Sequence, residues 1–137
     1  MKRVILAMAA ALALTACAAG SGQPELSPEL EAGHEVFSSI CATCHGGNGD
    51  GGSAPALTGV LDTFEACSDQ IRWVTLGSQR WQDEVGPTYG DTDNEITAVM
   101  PEFGASLSDE EIARVVAFER VRFGGATEAS AVADCGL

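Results

Sequence analysis

Two thiols and an imidazole fall within five consecutive residues, Cys41-Ala42-Thr43-Cys44-His45. This spacing is the attachment signature of c-type haem. The thiols can add across the two vinyl groups of a haem to give thioethers. The adjacent imidazole is then held beneath the iron as an axial ligand. Two other chemistries use the same residue types. A redox dithiol would need a thioredoxin-like alternation of strands and helices, which the chain lacks. A structural zinc would need Cys41, Cys44, Cys67 and Cys135, but the last two lack the short spacing of a ligand pair.

The flanking pattern supplies the elements that must position these groups. Ser27-Pro28-Glu29 reads as a helix start, with Ser as N-cap, Pro at the first helical position and an acid in the first turn. Leu30, Gly33, Phe37, Ile40 and Cys44 repeat at three and four, one face of a helix. The run Gly46 to Gly52 must break it. A second helix is expected from about Thr63 to Leu76, stopped by Gly77. Residues 78–99 are rich in Gly, Asp and Thr and read as a long loop. Ser108-Asp109-Glu110-Glu111 is a capping box opening a third helix, lined inside by Ile112, Val115, Val116 and Phe118 and stopped by Gly124-Gly125. The tail, residues 126–137, reads as irregular. No internal repeat and no convincing strand is visible.

Met1-Lys2-Arg3 followed by an apolar run from Val4 to Leu14 reads as a secretory signal, too short to span a bilayer as a mature helix. Leu14-Thr15-Ala16-Cys17 resembles the bacterial lipobox, in which the cysteine is lipidated and becomes the new N-terminus. The expected division is a signal peptide at 1–16, a lipidated tether at 17–26, the folded domain at 27–125 and the tail at 126–137. The chain is thus expected to be exported and membrane-anchored on the extracytoplasmic side. In an oxidising compartment the two leftover thiols, Cys67 and Cys135, are expected to pair, pinning the tail to the second helix. Independent free thiols are the alternative.

The 137 residues carry 7 basic and 20 acidic side chains, a formal net charge of -13. Without Lys2 and Arg3, five arginines face the same 20 acids, which leaves -15. Such a surface repels nucleic acid and anionic lipid, and it suits either solubility alone or a partner with a basic docking face.

With these residues in view, the chain resembles a class I (mitochondrial-type) c-type cytochrome over roughly residues 28–124. The landmarks are Gly33 and Phe37 before the haem motif, His45-Gly46, Pro55, the pair Met100-Pro101, and Phe118 on the final helix. The resemblance implies an all-α small cytochrome c fold, with three main helices around one covalent haem c. It implies that the first and last helices cross, with Gly33 meeting Phe118. It implies that the Pro55 carbonyl accepts a hydrogen bond from the proximal imidazole of His45. It places the sixth ligand at Met100, the one methionine beyond the signal segment; His34, on the first helix and off its apolar stripe, is the rival. Tyr89, Trp73, Trp81 and Arg80 are candidates to contact the haem propionates or to pack in the core.

The function implied is one-electron transfer between redox protein partners, membrane-associated through the anchor, with no small-molecule substrate and no bond made or broken in one. A haem enzyme or a gas or redox sensor with an open iron site is the alternative, as is a haem subunit of a larger oxidoreductase.

Overall fold

The computed structural model describes residues 26–137. The expected signal segment, Cys17 and the tether up to residue 25 lie outside the described residues. Helix α1 runs Pro28–Val36, capped by Ser27, whose side chain accepts from the Leu30 N–H. It continues through a π-helical turn, Phe37–Cys41, into the short α2, Ala42–His45. The expected single stripe therefore divides. Leu30, Gly33 and Phe37 are buried, whereas Ile40 is half-buried and Cys44 is exposed. The extra residue in a π turn rotates the succeeding helical residues by about 100°, and such turns are frequent at functional sites. Here it carries Cys41, Cys44 and His45 off the packing face of α1.

Gly46 ends α2 with φ +76°. The glycine-rich loop then turns back on the helix it leaves. Gly51 N–H donates to His45 O at 2.9 Å and Ala54 N–H to Cys44 O at 3.1 Å, satisfying carbonyls that the helix end orphans. The one-turn α3, Val60–Thr63, leads to α4, Cys67–Glu84.

The expected stop at Gly77 is only half right. Gly77 breaks the helical dihedrals (φ 67°, ψ 174°), yet the helix resumes as far as Glu84. The reason is backbone satisfaction. Carbonyls freed at the break accept from the later loop, Val74 O from Phe103 N and Thr75 O from Gly104 N. The loop expected over 78–99 accordingly begins at Val85. Its turns are held by Tyr89 N to Asn94 O and Ile96 N to Pro87 O, both 2.9 Å. An isolated bridge between Thr88 and Glu95 is the nearest approach to a strand among the described residues.

The capping box at Ser108 and Glu111 opens α5, Asp109–Arg122. The tail is not irregular. Thr127 caps α6, Glu128–Asp134. Glu128 Oε1 accepts from Ser27 N at 2.9 Å, and Cys135 is bonded to Cys67, so the tail is fastened at two points. That disulfide removes Cys67 and Cys135 from any zinc site.

Helix α1 crosses α5 at Gly33. A Cβ there would collide with the Arg114 carbonyl and press on the Phe118 side chain, so the crossing needs glycine. Leu30, Phe37, Ile112, Val115, Val116 and Phe118 fill that contact and are essentially buried. Phe64, Trp73 and Trp81 form a cluster with centroids 5.5–6.0 Å apart, in which Trp81 meets the other two edge-on. The described residues form an all-α fold, with the crossing of α1 and α5 that the resemblance implies.

Candidate functional site

A cavity of about 620 Å³ opens between α2, α4, α5 and the 85–107 loop. That is within the range of roughly 300–1,000 Å³ over which pockets take small molecules and cofactors. Its walls are mostly apolar, with Ile40, Leu57, Val60, Phe64, Val74 and Phe103 among them. Cys41, Cys44, His45, Pro55, Tyr89 and Met100 all border it. The first three come from the π turn and α2, Pro55 from the loop folded back on α2, and Tyr89 and Met100 from the loop before α5.

Cys41 and Cys44 are free thiols. Burial, and next the charge of Glu119, push the Cys41 thiol up to about 12. A redox dithiol is activated by the opposite shift, toward thiolate, so the pair does not suit that chemistry. His45 Nδ1 lies 2.8 Å from Pro55 O. A carbonyl only accepts, so Nδ1 carries the hydrogen and donates it. In the neutral ring this leaves the unshared pair on Nε2, the tautomer a ligating imidazole needs.

Met100 is placed by the break in α4. Ser78 N donates to Met100 O at 3.0 Å, and Met100 N donates to Ser78 Oγ at 3.1 Å. Gly77 permits this approach, since a Cβ there would strike Met100 O, Pro101 C and Glu102 N. Tyr89 Oη accepts from the N–H groups of Thr97 and Ala98, which fastens the same loop two residues earlier. Trp73 borders the cavity and meets Tyr89 edge-on at 5.4 Å.

Trp81 and Arg80 are not at the cavity. Trp81 is 3% exposed in the core, and its Nε1 donates to Thr88 O at 3.0 Å. Arg80 lies on the surface, paired with Glu84 and Glu102 at 3.0 Å. Both stand beyond the kink, which turns that half of α4 away. His34 is exposed, stacked on Phe118 at 5.0 Å and away from the cavity.

Two buried polar groups at the cavity were not singled out from the sequence. Gln70 on α4 and Glu119 on α5 both border it. Glu119 had a visible signal. It stands seven, four and three residues after Ile112, Val115 and Val116, on the apolar stripe where an acid is out of place.

The donor set fits a haem: two thiols at one edge, an imidazole and a thioether, all on one apolar cavity. Residues 28–118 match the family described as cytochrome c oxidase, cbb3-type, subunit III. The chain is also 32% identical over 111 residues to cytochrome c6 of Picosynechococcus sp., covering 81% of this chain and 88% of that one.

The chain belongs to the class I c-type cytochromes.

Among solved structures, the c-type cytochrome XoxG from Methylobacterium extorquens AM1 shares the fold. Its TM-score is 0.50 at 23% identity, over 72% of this chain and 52% of that one. The chain thus spans about half the length of that structure. Membership implies one covalently bound haem c and an extracytoplasmic protein that transfers electrons to and from redox partners. No described helix is long and apolar enough to cross a membrane.

Proposed function

We propose that this cytochrome carries single electrons through a haem held by thioethers at Cys41 and Cys44, with His45 and Met100 as its axial ligands. The convergence of those four side chains on one apolar cavity carries the reading. When bound, the haem supplies a one-electron couple, and a thioether ligand favours its reduced form. The chain does the rest. Pro55 O fixes the His45 ring through Nδ1, which leaves Nε2 as the nitrogen that would ligate. Ser78 holds the Met100 backbone. The apolar walls keep water and small ligands out. The Tyr89 hydroxyl accepts two backbone N–H groups, and its O–H would be placed to donate to a propionate of the bound haem. The test is an oxidised spectrum of the wild type and of Met100→Ala. The weak red band of iron–thioether bonding is expected in the wild type and is lost in the variant. A band absent from the wild type, or retained in the variant, refutes Met100 as ligand.

The protein is read as a lipoprotein processed at Cys17, with the 17–26 tether holding the haem domain near the membrane. Intact mass of the mature protein should show acyl chains on Cys17; an unmodified N-terminus elsewhere refutes it. Partners are redox proteins with a basic docking face. Supporting this, Arg72, Arg80 and Arg114 are each paired with a glutamate and Arg120 is buried, so little positive charge is left to offset the acids. The matched family's description supports a second reading, a haem subunit seated on a larger oxidoreductase. Purification with or without partner chains separates the two.

A further inference from the structure

Glu119 is a carboxylate that the electron-transfer reading leaves without a role. It is 5% exposed and borders the same cavity as Cys41, His45 and Met100. Placing a charge in such a wall is unfavourable unless it is paired. The neighbouring arginine does not pair with it. Arg120 commits its guanidinium to Phe64 O at 2.9 Å, Glu65 O at 2.8 Å and Gln70 Oε1 at 3.2 Å. That last bond fixes the Gln70 amide, whose Nε2 donates to Glu119 Oε2 at 3.0 Å. Gln70 is itself 2% exposed.

Among the described residues, Glu119 therefore has one neutral donor and no counter-charge. Apart from Glu119, the cavity wall carries no side chain of fixed charge. The π turn supplies the Cys41 thiol, α2 supplies His45, α4 supplies Gln70 and Trp73, α3 supplies Val60, and the 85–107 loop supplies Met100. Asp134 of α6 acts on Arg120. Burial pushes the Glu119 carboxyl up from 4.5 to about 8, against the lowering effect of the Gln70 bond. Its charge is thus poised near neutral pH, beside a cavity whose own charge changes by one unit with each electron carried.

We propose that Glu119 is a proton site coupled to electron transfer, taking up one proton from solvent as an electron enters the cavity and releasing it as the electron leaves. The inference rests on the reading that the cavity holds the haem. The balance is one electron from a one-electron donor protein and one proton from water, converting the Glu119 carboxylate to the neutral acid. No other bond changes. The cause is electrostatic. An added negative charge in a low-dielectric site disfavours a nearby carboxylate and raises its proton affinity. By reciprocity, protonated Glu119 favours reduction.

The experiment is spectroelectrochemical titration of the full-length, haem-loaded protein over roughly pH 6–9, which brackets the shifted carboxyl. The wild-type midpoint should fall as pH rises. The slope should approach a tenfold change in the reduction equilibrium per pH unit, about 59 mV for a one-electron couple. Glu119→Gln should flatten it. Gln70→Leu removes the donor that favours the charged form and should move the sloping segment to higher pH. The reduced-minus-oxidised infrared spectrum should show a carboxylic-acid C=O band that Glu119→Gln lacks. A flat wild-type profile, a slope that survives Glu119→Gln, or no such band overturns the proposal. Should Glu119→Gln fail to fold, the wild-type profile and the Gln70→Leu displacement still decide it. A protein with no covalent haem gives no haem midpoint and defeats the site reading. A haem-loaded protein with a pH-independent midpoint defeats this inference alone.

Discussion

Ser78 and Met100 exchange backbone and side-chain hydrogen bonds across 22 residues of sequence, Ser78 N to Met100 O at 3.0 Å and Met100 N to Ser78 Oγ at 3.1 Å. The pair sits where Gly77 interrupts α4, so the helix break and the loop it receives form one device. Ser78→Ala removes the side-chain acceptor and leaves the Met100 N–H unsatisfied. A loss of about 1 kcal/mol in denaturant stability is expected, with a weaker red absorption band. Unchanged stability and an unchanged band would show that Ser78 does not hold the loop.

The crossing of α1 and α5 gives a second prediction. Gly33→Ala drives a methyl into the Arg114 carbonyl. The helices must separate, at a cost of about 1–3 kcal/mol typical of overpacking. Chemical denaturation of the wild type and the variant measures this. A variant within experimental error of the wild type would mean that the contact has room the structure does not show.

The disulfide gives a third. Cys67 and Cys135 are 68 residues apart in sequence. In the chain-entropy model a loop of that size is worth at most roughly 4 kcal/mol. Replacing both cysteines by serine should lower the denaturation midpoint, and reductant should lower that of the wild type alone. Alkylation of the denatured, unreduced protein should find no thiol at either position.

Stability should also depend on pH through Glu119. Its folded value of about 8 stands above its ordinary 4.5. Between the two, the folded state holds a proton that the unfolded state has released. The contribution is therefore full below about pH 4.5 and is lost as pH rises toward about 8. The total is on the order of a few kcal/mol. Denaturation curves across that window should show stability falling with pH in the wild type and much less in Glu119→Gln. Equal slopes would place the dependence elsewhere.

Partner encounter should be sensitive to salt. Charge complementarity speeds association more than it tightens a complex, and exposed charges are screened beyond about 8–10 Å at ordinary ionic strength. Stopped-flow rates with the physiological partner should fall as salt rises. A flat or rising rate would assign the acidic surface to solubility alone.

The architecture was legible where a local rule and the packing agreed. Ser27 and Ser108 cap the helices they were expected to cap, and Gly33 lies at the crossing that the resemblance implied. What was misread depended on partners distant in sequence. Gly77 carries a strong stop signal, but the helix resumes because Phe103 and Gly104 satisfy the carbonyls freed at the break. The tail looks irregular in isolation, and α6 is held by Glu128 to Ser27 and by Cys135 to Cys67. The cavity residues were legible as a motif plus landmarks. Of the two roles open to them, Trp81 takes the core and Arg80 takes neither, because the direction of the kink is written in no local pattern. Glu119 was legible as a break in an apolar stripe, but its single donor, Gln70, lies 49 residues away.

The most direct test of the central claim is acid–organic extraction of the purified protein, followed by a reduced spectrum and intact mass of the polypeptide. The haem is expected to stay with the chain, one per polypeptide, with the spectrum of a c-type haem, and Cys41→Ala with Cys44→Ala is expected to abolish this retention. Haem that passes into the organic phase, or a colourless protein whose Cys41 and Cys44 remain free thiols, would contradict it.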